Sequence, residues 1–169
     1  MFEDIIIKKS EDIKDMLIKI RRDIHMHPEI GLHEFRTAGI IADILKQYHI
    51  EVKTNVGVTG VVGVLQGKYP GKTILLRADM DCLKIMELNE LEYKSIYPGY
   101  MHACGHDAHL TWLIGAAIIL SGLRDEIHGT IKFLFQPAEE KEGGAEKTIH
   151  GGVLENPKVD AVIGAHNWP

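Results

Sequence analysis

Short runs dense in Val, Ile and Leu alternate along this chain with segments of helical apolar periodicity, and that alternation most constrains the fold. From Ser10 onward, Ile13, Met16, Leu17, Ile20 and Ile24 recur at three- and four-residue steps. The spacing predicts a helix with one apolar stripe, Ser10 as its N-cap and His27-Pro28 as its end. A second helix is expected from about Glu34 to Tyr48, with Phe35, Ile41, Ile44 and Leu45 inward. Three β-rich runs follow, Ile50 to Thr54, Gly60 to Leu65 and Thr73 to Leu76, punctuated by Gly57, Gly67, Pro70 and Gly71. Met80 to Met101 reads as a long surface or cleft loop. The segment from about Asp107 to Leu120 is apolar on most sides, which predicts a central, buried helix. A strand at Thr130 to Phe135, a short helix near Ala145 to His150 and a strand at Val159 to Ala165 complete the pattern. The fold class this predicts is α/β, a mixed, largely parallel sheet flanked by helices.

Charge and apolar content narrow the function. With 19 basic against 24 acidic residues the formal net charge is −5, and no stretch concentrates Lys and Arg, so nucleic acid is excluded as a partner. No apolar run approaches the roughly 20 residues of a membrane helix. The opening MFEDIIIKKSEDIKD is too short and too acidic for a secretory signal, and Cys82 and Cys104 are the only cysteines. Reduced thiols and a cytoplasmic location are therefore expected.

Ten histidines, several beside Asp, Glu or Cys, carry the chemical interest. Arg77-Ala78-Asp79-Met80-Asp81, Glu139-Glu140 and His166 each follow a predicted strand, and His102-Ala103-Cys104-Gly105-His106-Asp107 opens the buried helix. Ligands of open α/β sheets bind outside the carboxyl ends of the strands, so these clusters are expected to converge. A thiolate and an imidazole two residues apart, with a glycine between them, can reach one metal ion or two adjacent ones. Cys104 is also compatible with a buried apolar role, His106 with a helix cap, and the pair with a Cys-His hydrolase dyad. Neighbouring glutamates on an extended segment point to opposite sides, so one can bind metal while the other reaches a water; the alternative is a solvated acidic loop. Asp79 and Asp81 share a face if their strand continues, as ligands, as groups that orient ligands, or as turn formers. His166 alone says little.

Taken together, these stretches resemble the amidohydrolase branch of the M20 metallopeptidase family. The resemblance runs in order through Arg21-Arg22-Asp23-Ile24-His25-Met26-His27-Pro28-Glu29, Leu76-Arg77-Ala78-Asp79-Met80-Asp81 and His102-Ala103-Cys104-Gly105-His106-Asp107-Ala108-His109. It continues through Phe135-Gln136-Pro137-Ala138-Glu139-Glu140 and Gly164-Ala165-His166-Asn167-Trp168-Pro169. It implies a zinc-peptidase-like catalytic domain that hydrolyses the amide bond of N-acyl amino acids, a small-molecule substrate. It further implies two divalent metal ions, zinc or manganese with cobalt or nickel as alternatives, held by Cys104, His106, Glu140 and His166, with the Cys104 sulfur bridging. Glu139 would be the general base, and Asp79, Asp81, Asp107 and His109 would orient ligands by hydrogen bonds. His25 and His27 are expected as packing or substrate-edge residues.

Two departures bear on substrate preference rather than chemistry: Cys82-Leu83-Lys84 where the family has an Ala-Leu-Pro run, and Lys141-Glu142 interrupting the glycine-rich continuation after the glutamates. A larger one is length. The resemblance implies that residues 1–169 are the N-terminal part of a discontinuous catalytic domain, with the lid or dimerisation domain and a C-terminal catalytic segment that supplies a further histidine ligand both absent. Homo-oligomers are expected of the longer relatives, and a non-catalytic metal-binding fragment is the alternative for this chain.

Overall fold

The computed structural model of the chain describes residues 2–168; Met1, and Pro169 at the end of the last motif, lie outside the described residues. The helices are α1 (Phe2–Met26), α2 (Phe35–Gln47), α3 (His106–Ser121) and α4 (Gly144–His150). The strands are β1 (Glu51–Val56), β2 (Gly60–Gln66), β3 (Tyr69–Asp79), β4 (His128–Gln136) and β5 (Ala161–Gly164). Among the described residues these strands form one sheet in the order β1-β2-β4-β3-β5. The β1-β2 and β2-β4 pairs are antiparallel, and β3 runs parallel to both β4 and β5. The α/β class and the mixed sheet agree with the sequence pattern, with the parallel pairing confined to the half that carries the polar motifs.

Strand alternation divides β4 between two layers. Phe133 and Phe135 face α1, α2 and α3 and pack with Ile24, Ile41, Leu45, Leu110 and Ile114. Leu134 faces the other way, in a smaller cluster with Val56, Val62, Leu75 and Val153. Truncating either phenylalanine to alanine would cost about 3–5 kcal/mol in a site closed this tightly.

Several local expectations are corrected. Ser10 is not an N-cap: α1 begins eight residues earlier, and the Ser10 hydroxyl donates back to the Ile7 carbonyl at 2.6 Å, a bond available inside a helix. Phe35 does not face inward but is 62% exposed: the buried stripe of α2 runs Thr37, Ile41, Ala42 and Leu45 and is centred about a quarter turn away from the first residue of the helix. Strand β3 is longer than its apolar run, since Pro70 and Gly71 fall at a register shift between Tyr69 and Thr73 that spares the ladder. The 80–101 segment is a long loop, as expected, and it is anchored: Leu83 and Met101 form an antiparallel bridge, and Asp81, Cys82 and Glu87 are buried.

Candidate metal centre

Register brings the motifs together. In the parallel pairing Asp79 lies opposite Gln136 and Arg77 opposite Gly164, so β3, β4 and β5 end at one level and their following residues share one rim of the sheet. Helix α3 begins at the same rim. Its N-cap, Gly105, has φ +83°, a left-handed turn that carries the chain from Cys104 into the helix, and a Cβ there would stand 2.5 Å from Asn167 Oδ1.

His106 stands at the middle of the cluster and is fully buried. Its Nδ1 lies 3.2 Å from Asp81 Oδ1. An ionised carboxylate only accepts, so Nδ1 carries the hydrogen and Nε2 is turned to the cleft. Nε2 is 3.7 Å from Glu140 Oε1, 3.8 Å from Asp79 Oδ2 and 3.9 Å from Glu139 Oε2. Burial opposes charge on the ring, but the Asp81 hydrogen bond and the charges of Asp79, Asp81 and Glu140 outweigh it and raise the His106 pKa. That negative field favours any cation at Nε2, a proton or a metal ion. Among the described residues His106 Nε2 and Glu140 Oε1 are both buried without a hydrogen-bond partner, although they face each other. Two orphaned groups cost free energy unless something sits between them. Their geometry and chemistry fit a divalent ion.

Cys104 Sγ lies 3.4 Å from His166 Nε2, and His166 Nδ1 donates to the Asn167 carbonyl at 2.5 Å. The ligand atoms of Cys104, His106 and His166 lie within 4.8 Å of one another, as do those of His106, Glu139 and Glu140. All five residues expected as ligands or base are thus gathered around His106. Burial, reinforced by Glu140, pushes the Cys104 thiol up to about 11. A cysteine nucleophile needs the opposite shift, so this placement weighs against a hydrolase dyad even though Cys104 and His166 touch. A coordinated cation would deprotonate the thiol.

Asp81 ties the two halves of the cluster together. Besides orienting His106, its Oδ1 and Oδ2 accept the backbone N–H groups of Glu139 and Glu140, each at 3.0 Å. Burial raises its pKa, but these three bonds outweigh burial and leave it lowered. Strand β3 ends at Asp79, so the shared-face expectation for the two aspartates does not apply; Asp79 instead accepts from Arg77 and from His109 Nδ1, each at 2.7 Å. Both ring nitrogens of His109 are engaged, since its Nε2 contacts Asn167 through the backbone N–H, at 3.1 Å, and through the side-chain oxygen.

Asp107 lies elsewhere. Its Oδ2 accepts from Arg21 Nε at 2.8 Å and His25 Nδ1 at 2.9 Å, and it bonds to none of the four expected ligands. His25 Nε2 continues to Glu87 at 3.1 Å, so His25 is a buried polar link rather than packing or a substrate edge. His27 bonds to the Asp23 carbonyl and sits against Tyr97. The sequence does carry a signal for this network: Leu17, Arg21 and His25 continue one helical stripe at four-residue steps, so a charged pair occupies a face that is otherwise apolar.

The model of peptidase family M20/M25/M40 matches residues 75–169, which hold the cysteine, histidine and glutamate motifs of the cluster. The chain belongs to that family. Thermostable carboxypeptidase 2 of Saccharolobus solfataricus is 45% identical over 169 residues, covering 96% of this chain and 42% of the relative. An N-acyl-L-amino acid amidohydrolase of Geobacillus stearothermophilus is 44% identical over 170 residues, covering 99% and 45% respectively. The solved structure of the YXEP protein of Bacillus subtilis, described as a dinuclear metal binding peptidase from the M20 family, superposes with a TM-score of 0.89 at 41% identity, covering 94% of this chain and 44% of that one. The chain therefore spans less than half the length of these M20 relatives. Among the described residues no helix is long and apolar enough to cross a membrane.

Proposed function

We propose that residues 1–169 form the N-terminal part of the catalytic domain of a metal-dependent amidohydrolase acting on N-acyl amino acids. In this reading Cys104, His106, Glu140 and His166 would hold two divalent ions, zinc or manganese. The observation that carries it is the facing pair of orphaned atoms, His106 Nε2 and Glu140 Oε1, 3.7 Å apart in a wall of sulfur, imidazole and carboxylate groups. Such a mixed donor set suits zinc through its thiolate and manganese through its carboxylate. Bound there, divalent ions lower the pKa of an attached water and polarise an acyl carbonyl.

The protein's own groups supply the remainder. Asp81 orients His106 through Nδ1 and holds the main chain of both glutamates. The Glu139 side chain is 41% exposed with Oε2 facing the cluster, free to take a proton from water and deliver it to the departing amine. The activity for which the Geobacillus relative is named supports N-acyl amino acids as the substrate class.

The experiment is metal analysis of the purified chain, followed by hydrolysis of several N-acyl amino acids with Zn²⁺, Mn²⁺, Co²⁺ or Ni²⁺ added. The expected outcome is stoichiometric metal, lost to a chelator, and turnover abolished by Glu139→Gln while metal stays bound. Turnover that survives Glu139→Gln would remove the assigned base. Coverage of only 42% of a relative favours the narrower form of the proposal, in which these residues bind metal but turn over poorly by themselves.

A further inference from the structure

We propose that Glu34 is a positioning residue for this centre: with Asp81 it clamps the backbone of Ala138, Glu139 and Glu140 and so sets where the two glutamate side chains stand relative to His106. This rests on the metal-centre reading above and adds a residue to it.

Glu34 occupies the N-cap position of α2, yet its side chain makes no bond to its own helix. The first turn is served from outside instead, by Glu29, whose Oε1 and Oε2 accept the N–H groups of Arg36 and Thr37 at 2.9 and 2.8 Å. Glu34 is thereby free to turn inward, and it is fully buried. Its Oε1 accepts the Ala138 N–H at 2.8 Å, and its Oε2 accepts the Thr59 hydroxyl at 2.5 Å. Asp81 takes the next two N–H groups along the chain. Three successive backbone donors therefore end on two buried carboxylates contributed by distant parts of the sequence.

The clamped residue needs holding. Ala138 has φ +50°, a left-handed conformation that costs an alanine roughly 1–2 kcal/mol and persists only when its surroundings enforce it. Gly144 N–H binds the Ala138 carbonyl at 3.0 Å, and a Cβ on Gly31 would come within 2.9 Å of the Ala138 Cβ. Released from Glu34, Ala138 has an incentive to relax out of that conformation, and the rotation would carry Glu139 and Glu140 with it. The bonds of Glu34 go to the Ala138 N–H and the Thr59 hydroxyl and to none of the expected metal ligands, so its hydrogen bonds act on the glutamates through the main chain.

The test is titration of the chain with Co²⁺, reading the ligand-field bands and the thiolate-to-cobalt charge-transfer band. The parent is expected to bind with both signatures. Glu34→Ala is expected to lose about tenfold to a hundredfold in affinity and to shift the ligand-field bands. Glu34→Gln, whose amide oxygen still accepts from Ala138 and whose NH₂ can donate to a rotated Thr59 hydroxyl, is expected to restore both. A folded Glu34→Ala chain, by circular dichroism, with parent-like affinity and spectrum overturns the inference. If Glu34→Ala does not fold, Thr59→Val decides: a several-fold loss with shifted bands upholds the clamp, and a parent-like titration overturns it. A parent that binds no Co²⁺ sinks the metal-centre reading itself, a different failure.

Discussion

His106 and Asp107 are adjacent in the chain and open into two polar regions built on different terms. Asp107, His25, Arg21 and Glu87 form a network whose bonds run from 2.8 to 3.1 Å, and His25 is served at both ring nitrogens. Around His106 the spacings among Nε2 and the carboxylates are 3.7 to 3.9 Å, and two buried atoms are orphaned. The first region is closed except at Asp107 Oδ1, which is buried without a partner, and it stabilises the junction of α1, α3 and the 80–101 loop. The second is left incomplete by the protein alone, and such incompleteness is what a ligand site costs in the unliganded chain. What separates the two is spacing: the paired groups of the first stand at hydrogen-bonding distance, whereas the carboxylates around His106 Nε2 stand just beyond it, leaving room for a bridging cation.

That contrast can be broken or sharpened by substitution. Asp81→Ala should have the largest effect, because it strands His106 Nδ1 and two backbone N–H groups at once: about 3 kcal/mol or more of stability by chemical denaturation, and metal affinity down about a hundredfold by calorimetry. Asp107→Ala should cost about 2–3 kcal/mol, leaving His25 Nδ1 and Arg21 Nε without their carboxylate, while metal affinity stays within a factor of about three because Asp107 bonds to no expected ligand. Equal losses of metal affinity in the two variants would erase the distinction.

A smaller effect concerns pH. The Asp107 hydrogen bond, helped by Glu87 and opposed by burial, raises the pKa of His25. A raised folded-state pKa means that the contribution of His25 to stability is complete below its unfolded value, about 6.5, and is lost as pH rises through the higher folded value. Denaturation midpoints of His25→Gln against the parent across this window should converge toward high pH; a constant gap would contradict the assignment. The smallest stability change is expected for Glu140→Gln, within about 0.5 kcal/mol in the metal-free chain because it removes an orphaned charge, yet metal affinity should fall at least tenfold.

The fold class and the gathering of Cys104, His106, Glu139, Glu140 and His166 are legible in the sequence because each motif abuts an apolar run, and parallel strands present their carboxyl ends to one rim. Less legible is anything that depends on register or rotation. Whether Asp107 shares the side of His106 is decided by the turn of a helix of about 100° per residue, and sequence proximity points the wrong way. The double role of Asp81 requires knowing that Asp79 pairs opposite Gln136, a register no local pattern encodes. Glu34 escapes notice because a glutamate beside a helix start resembles ordinary surface charge, and only the substitution of Glu29 as cap exposes its other use.

Strand β4 lies between β2 and β3 although it is made after both, so the β1-β2 hairpin emerges from the ribosome roughly sixty residues before the neighbour that covers its inner edge. Until residue 136 has been synthesised, neither the hairpin nor β3 has a sheet to join. The nascent chain therefore carries unpaired strands through much of its translation, a period in which chaperone protection has the most to offer.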